Sequence, residues 1–204
     1  MKKRNRQAEL IKQLSDRELT FHLLFTQGLM IGLSIILFWV FQTEWEHYLG
    51  LFVIDVKLFI IAVTIGLVVV GIDLILMKVL PAHYYDDGGI NERIFSKRSF
   101  LNITFLALLI ALCEEILFRG IIQTNIGWLW ASLIFAVVHI RYWTSWFLIM
   151  NVTLLSLTIG WIFEWTGSLL VTIIIHFIID FLLGLHIRMT SMHGKTVERN
   201  VDHG

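Results

Sequence analysis

The sequence has one cysteine, one proline and little charge. Of its 204 residues, 16% are Asp, Glu, Lys or Arg, whereas soluble domains carry about 25%. A lone Cys113 excludes an internal disulfide. The net charge is zero, so we expect no nucleic-acid partner. Because 57% of the residues are hydrophobic, too few polar residues remain to cover a soluble fold, and the composition predicts an integral membrane protein.

Six apolar runs are candidates for membrane helices. A hydrocarbon core of about 30 Å needs about 20 apolar residues in a helix. The runs are continuous rather than alternating, which argues against a β-barrel. The predicted fold class is therefore all-α, a polytopic transmembrane helix bundle of about six spans that contacts membrane lipid. The runs lie at 22–41, 58–80, 100–124, 127–140, 144–163 and 168–187.

Composition divides this single domain into four segments. These are a basic cytoplasmic N-terminal segment, two N-terminal spans with a polar loop, a four-helix core and a polar cytoplasmic tail, at 1–21, 22–98, 99–187 and 188–204. Lysine and arginine concentrate in the first segment, the polar loop and the tail, so both termini are predicted to be cytoplasmic. The first apolar run is followed by no small-residue cleavage site, which favours an uncleaved span. Short loops in a compact chain favour a bacterial cell membrane.

The third run contains three charges in the stretch "ALCEEILFRG", residues 111–120. A charge at the centre of a membrane helix costs about 2.5–3.5 kcal/mol on insertion scales. Glu115 and Arg119 are four residues apart, so they share a helix face and can pair. Glu114 lies about 100° around the helix and has no partner in its own span. It must therefore find one on another helix.

Later runs offer such partners. "FAVVH" ends at His139, and "HFIID" places His176 and Asp180 four residues apart on one face. Counted from the predicted outer turns at about 1.5 Å per residue, Glu114, His139 and His176 lie at depths of roughly 16, 18 and 14 Å. The sequence therefore predicts that these three groups meet in one layer near the middle of the bilayer.

A buried carboxylate beside two imidazoles has two chemical uses. Desolvation makes a carboxylate a stronger base, which could activate a water for attack on an amide carbonyl. Alternatively, Glu114, His139 and His176 could bind zinc and leave one position for water. The soluble zinc-protease motif HExxH is absent. The residues leave both uses open.

These three motifs resemble those of the CPBP intramembrane proteases, also called the Abi or CAAX-protease family. "EEILFRG" is similar to the EExxxR motif, "FAVVH" to FxxxH and "HFIID" to HxxxN/D. The family includes type II CAAX prenyl endopeptidases and bacteriocin-processing or self-immunity proteins. The resemblance covers about 100–185, and the motifs occur in order in successive apolar runs.

The resemblance implies a peptide or membrane-protein substrate and a role for each motif residue. Glu114 and His139 would activate the attacking water. The site would be oriented and the oxyanion stabilised by Glu115, Arg119, His176 and Asp180. The resemblance leaves the need for zinc open. Asp180 stands where asparagine is often found. Because an ionised aspartate cannot donate a hydrogen bond, we expect Asp180 to hold His176.

Three other classes of protein are compatible with these residues. The first is a non-catalytic self-immunity or scaffold protein of the same family. The second is a proton-coupled carrier, which would need ionisable groups at several depths rather than in one layer. The third is a bis-histidine haem protein. A purely structural explanation needs an ion pair, an interfacial histidine and a packing hydrogen bond to occur together by chance.

Overall fold

A computed structural model describes residues 6–42, 44–143 and 145–201, without the side chains of 6–8, 12 and 194–201. Helix accounts for 85% of the structure, and the described residues contain no strand. The predicted all-α membrane bundle is therefore confirmed. Residues 1–5 of the predicted N-terminal segment and 202–204 of the predicted tail lie outside the description.

Ten α-helices and one π-helical segment build the described part of the chain. Short 3₁₀ turns at Ala82–Tyr84 and Ile140–Tyr142 complete it. The bounds are α1 Arg6–Gln13, α2 Asp16–Val40, α3 Trp45–Gly50, α4 Val56–Val79, α5 Ile90–Phe95, α6 Phe100–Glu115, the π segment Ile116–Gln123, α7 Thr124–Ile126, α8 Trp128–Val138, α9 Trp146–Thr166 and α10 Leu169–Val201.

Two helices extend beyond the boundaries that hydrophobicity predicts. Helix α2 begins at Asp16 rather than at residue 22, because Ser15 and Glu18 form a capping box ahead of it. At the other end of the chain, α10 runs on to Val201 through the tail predicted from residue 188. Hydrophobicity alone marks the apolar part of each helix, whereas the helices extend into polar sequence.

Five helices are long and apolar enough to cross a membrane. They are α2, α4, the continuous Phe100–Ile126 rod, α9 and the Leu169–His193 part of α10. The fourth predicted run, 127–140, instead forms the 11-residue α8. At about 17 Å, α8 is shorter than the hydrocarbon core. It begins after Gly127, whose φ of 89° suits glycine, and ends at His139, whose ψ of 51° leaves the helical region.

Two hydrogen bonds show how the bundle is arranged from end to end. The Ser145 hydroxyl donates to the Tyr84 carbonyl, so α9 starts beside the 81–99 connection, which we call the loop end. The Leu169 N–H donates to the Leu51 carbonyl, so α10 starts at the opposite, far end. Helix α8 and the 3₁₀ turn after it return the chain to the loop end. The cytoplasmic placement of this end stays a prediction.

Gly160 on α9 allows three side chains to meet between α8, α9 and the π segment. A Cβ there would lie 2.6 Å from Trp128 Cδ1, 2.9 Å from Gln123 Oε1 and 3.1 Å from Ser132 Oγ. We expect Gly160→Ala to lower the free energy of unfolding by about 1–3 kcal/mol through overpacking. Gly71→Ala is the matched control, because a Cβ on Gly71 meets nothing within 4 Å. Denaturant titration of both variants in micelles should separate them, and equal stabilities would contradict the close packing.

Candidate active site

The carboxylates of the third span lie at the junction of α6 and the π segment. Glu115 and Arg119 are both fully buried, and Arg119 Nε lies 3.4 Å from Glu115 Oε2. The predicted pairing across one helical turn is therefore present. Glu114 is also buried but points away from this pair, toward side chains of two other helices. Its position is near the middle of the Phe100–Ile126 rod.

His139 ends α8 and faces Glu114. Its Nδ1 lies 2.7 Å from the Phe135 carbonyl oxygen. A carbonyl can only accept, so we assign the proton to Nδ1, which leaves a lone pair on Nε2. That Nε2 lies 3.9 Å from Glu114 Oε2. The end of α8 thus fixes both the tautomer and the direction of the imidazole.

His176 and Asp180 approach the same carboxylate from α10. His176 Nδ1 lies 2.8 Å from Glu115 Oε1, an orienting contact of the kind that carboxylates provide to functional histidines. Its Nε2 lies 3.8 Å from Glu114 Oε2 and 3.6 Å from Asp180 Oδ2. The structure therefore brings all six predicted site residues together in one cluster.

Exposure increases in one direction across this cluster. The side chains of Glu115 and Arg119 are 0% exposed, whereas that of His139 is 12% and that of Asp180 is 29% exposed. The Glu115–Arg119 pair therefore forms the closed base of the site. Asp180 lies at the most exposed edge of the cluster.

The π segment follows Glu115 directly and carries Arg119. The wider turn of this segment is reflected in one hydrogen bond. The Thr124 hydroxyl donates to the carbonyl oxygen of Arg119, five residues earlier, at 3.0 Å. π-helical turns are rare and are frequently found at functional sites. The run predicted to be a helix is helical throughout, but its second half is π-helical, and no composition signal in "ILFRGIIQ" marks the change.

Two serines behind the site were not predicted. Arg119 Nη2 donates to Ser156 Oγ at 3.1 Å and to the Ser156 carbonyl at 3.3 Å. The Ser132 hydroxyl donates to the same carbonyl at 3.2 Å. Each serine is an ordinary small residue in an apolar helix, so only the packing of α8 and α9 against the π segment reveals what it contacts.

Two aromatic rings lie next to His139. The imidazole lies 4.4 Å from the Phe135 ring, which Arg119 covers at 5.2 Å. It also stacks at 6.0 Å on Tyr142, which Arg141 covers at 4.5 Å. Burial lowers the pKa of Arg141, but Tyr142 and nearby carboxylates outweigh this and raise the pKa above its ordinary value. Tyr142 was not among the residues predicted from the sequence.

The arrangement does not fit the predicted zinc set. Ligand atoms about 2.0–2.1 Å from a tetrahedral zinc lie about 3.3 Å apart, whereas Glu114 Oε2 is 3.9 Å from His139 Nε2 and 3.8 Å from His176 Nε2. Within the described ranges, no group of three or more His, Cys, Asp or Glu side chains could hold a metal ion as placed. The side chains would have to move closer together to share one zinc ion, and zinc binding at this site stays an untested prediction.

Comparisons with known proteins agree with these motifs. The sequence model of the Rce1-like type II CAAX prenyl endopeptidases matches residues 96–182, a range that includes all six site residues. The uncharacterized protein YpbD of Bacillus subtilis (strain 168) is 46% identical over 148 residues, covering 72% of this chain and 78% of that protein. No solved structure matches the chain significantly.

Proposed function

Because the chain belongs to the CPBP or CAAX-protease family, we propose that it is an intramembrane endopeptidase. It hydrolyses a peptide bond with a water that Glu114 and His139 activate. The observation that carries this proposal is the convergence of Glu114 Oε2 with the Nε2 atoms of His139 and His176 at 3.9 and 3.8 Å. These separations are too long for direct hydrogen bonds and suit atoms that share one water.

The two acceptors account for both hydrogens of that water. One O–H donates to Glu114 Oε2 and the other to His139 Nε2, so an oxygen lone pair is left to attack the carbonyl carbon. Glu114 takes the first proton as the C–O bond forms. It then gives the proton to the amide nitrogen as the C–N bond breaks, which restores the carboxylate and releases an amine and a carboxylic acid.

The remaining residues position this chemistry. Arg119 fixes Glu115, which in turn accepts from His176 and holds that ring beside Glu114. Asp180 contacts His176 at the exposed edge of the site. Arg119 contacts no solvent, so in this proposal it acts only by orienting Glu115.

Hydrolysis in ¹⁸O-labelled water tests the function directly. Purified protein in lipid vesicles is incubated with candidate membrane peptides, and each new C-terminus is analysed by mass spectrometry. One ¹⁸O atom per new carboxyl group is expected if water is the nucleophile. Unlabelled termini would contradict the mechanism, and no cleavage of any membrane peptide would favour the non-catalytic family member.

The same assay with a zinc chelator added distinguishes activation of the water by side chains alone from activation by zinc. Activity that persists in a strong zinc chelator supports activation by side chains alone. Activity that is lost and then restored by added zinc would instead support the Glu114, His139 and His176 zinc set.

A further inference from the structure

A second polar site lies at the loop end, away from the six residues above. It is a cavity of about 180 Å³ between the start of α2, helix α5 and the start of α6. One water needs only about 10–15 Å³ by this measure, so the cavity has room for a phosphate group. Its lining is Asp16, Leu19, Thr20, Arg93, Ile94, Lys97, Arg98 and Asn102.

Among the side chains that the structure describes, three cations in this cavity face a single carboxylate. Arg93 pairs with Asp16 at 2.6 Å, and Lys97 Nζ lies 3.8 Å from the other oxygen of the same carboxylate. Asp16 cannot neutralise all three charges. Burial lowers the pKa of the Arg98 guanidinium, and Asp16 offsets this only in part. An added anion would therefore relieve an excess of positive charge.

The protein holds the two arginines in place, whereas the side chain of the lysine is largely exposed. Arg93 donates to the Leu14 carbonyl at 2.7 Å. Arg98 donates to the Ile94 carbonyl at 2.7 Å and to Thr20 Oγ1 at 2.9 Å. Lys97 is 60% exposed. Guanidinium groups positioned in this way suit the oxygens of a phosphate.

The cavity sits where two long apolar helices begin. Both α2 and α6 have their positive dipole ends there, which favours an anion. Close in sequence to the cavity residues, both helices expose large apolar side chains, among them Phe21, Phe25, Leu101 and Phe105. A ligand with a charged head and hydrocarbon tails would contact both kinds of surface, whereas free phosphate would use only the first.

We infer that this cavity binds the phosphate headgroup of an anionic membrane lipid. Basic pockets between membrane helices are typical of such sites. The lipid would tie the start of α2 to the start of α6 at the membrane surface. The inference is independent of the proposed protease activity, because it uses none of the six site residues.

Native mass spectrometry of the delipidated full-length protein tests this site. The probes are phosphatidylglycerol, phosphatidylcholine and inorganic phosphate. We expect saturable binding of phosphatidylglycerol, weaker binding of phosphatidylcholine, and no displacement by inorganic phosphate at an equal concentration. Equal affinity for the two lipids would overturn the site, and displacement by inorganic phosphate would overturn its assignment to a lipid.

Two charge changes with opposite expected effects complete the test. Lys97→Gln should weaken phosphatidylglycerol binding about fivefold, the usual contribution of one basic residue at a membrane surface. Asp16→Asn should strengthen it, because the competing carboxylate is gone. Lys78→Gln is the matched control, since Lys78 is exposed in the last turn of α4 and does not line the cavity. Equal affinity in Lys97→Gln and Lys78→Gln would overturn the proposal.

Discussion

Replacing Glu114 by glutamine should leave the protein folded and inserted but lower its rate of peptide hydrolysis by about 10²–10⁴-fold, the usual contribution of a general base. Glutamine has the same shape, so the packing around this buried side chain is kept. Its amide cannot take a proton from water at neutral pH. The measurement is the initial rate of cleavage in vesicles, with the amount of inserted protein determined for each variant.

Glu164→Gln is the matched control for that substitution. Glu164 accepts a hydrogen bond from Gln123 Nε2 at 2.9 Å and lies at the far end of α9, away from Glu114. A glutamine there keeps an acceptor oxygen, so its rate should equal that of the unmodified protein. A Glu114→Gln variant with the rate of Glu164→Gln would exclude Glu114 as the base.

The sequence predicted that these six residues would converge because polar residues are informative in apolar helices. A charge is costly inside a membrane span, so Glu114 requires a partner on another helix. The spacing of His176 and Asp180 places both on one helix face, which can supply that partner. The structure places His139 and His176 within 4 Å of Glu114. Asp180 in turn lies within 4 Å of His176. Their catalytic roles stay predictions until activity is measured.

Features that depend on contacts between helices could not be predicted in this way. The π segment, the shortness of α8 and the contact of Ser156 with Arg119 all arise where α8 and α9 pack against the third span. From hydrophobicity alone, α8 is predicted to extend over its whole apolar run. The run ends earlier as a helix because His139 leaves the helical conformation and bonds back to Phe135.

The largest effect on the free energy of unfolding is expected from substitutions in the Glu115–Arg119 pair at the base of the site. Arg119 is fully buried, and its guanidinium is the cation that contacts the equally buried Glu115. Removing one member of a buried ion pair leaves the other charge uncompensated, which typically costs about 3–5 kcal/mol. We therefore expect Arg119→Leu to lower the free energy of unfolding by about this amount, measured by denaturant titration in micelles.

The double variant Glu115→Leu/Arg119→Leu tests whether charge is the cause. When both members are replaced by apolar residues of similar volume, the unpaired charge is gone, and buried pairs exchanged in this way are often neutral in stability. The double variant should therefore regain much of the stability that Arg119→Leu loses. It should still hydrolyse peptides about 10–100-fold more slowly than the unmodified protein, because His176 Nδ1 has lost the carboxylate that orients it. A double variant as unstable as Arg119→Leu would show that the loss comes from packing around the arginine, and full activity in it would remove Glu115 from the site.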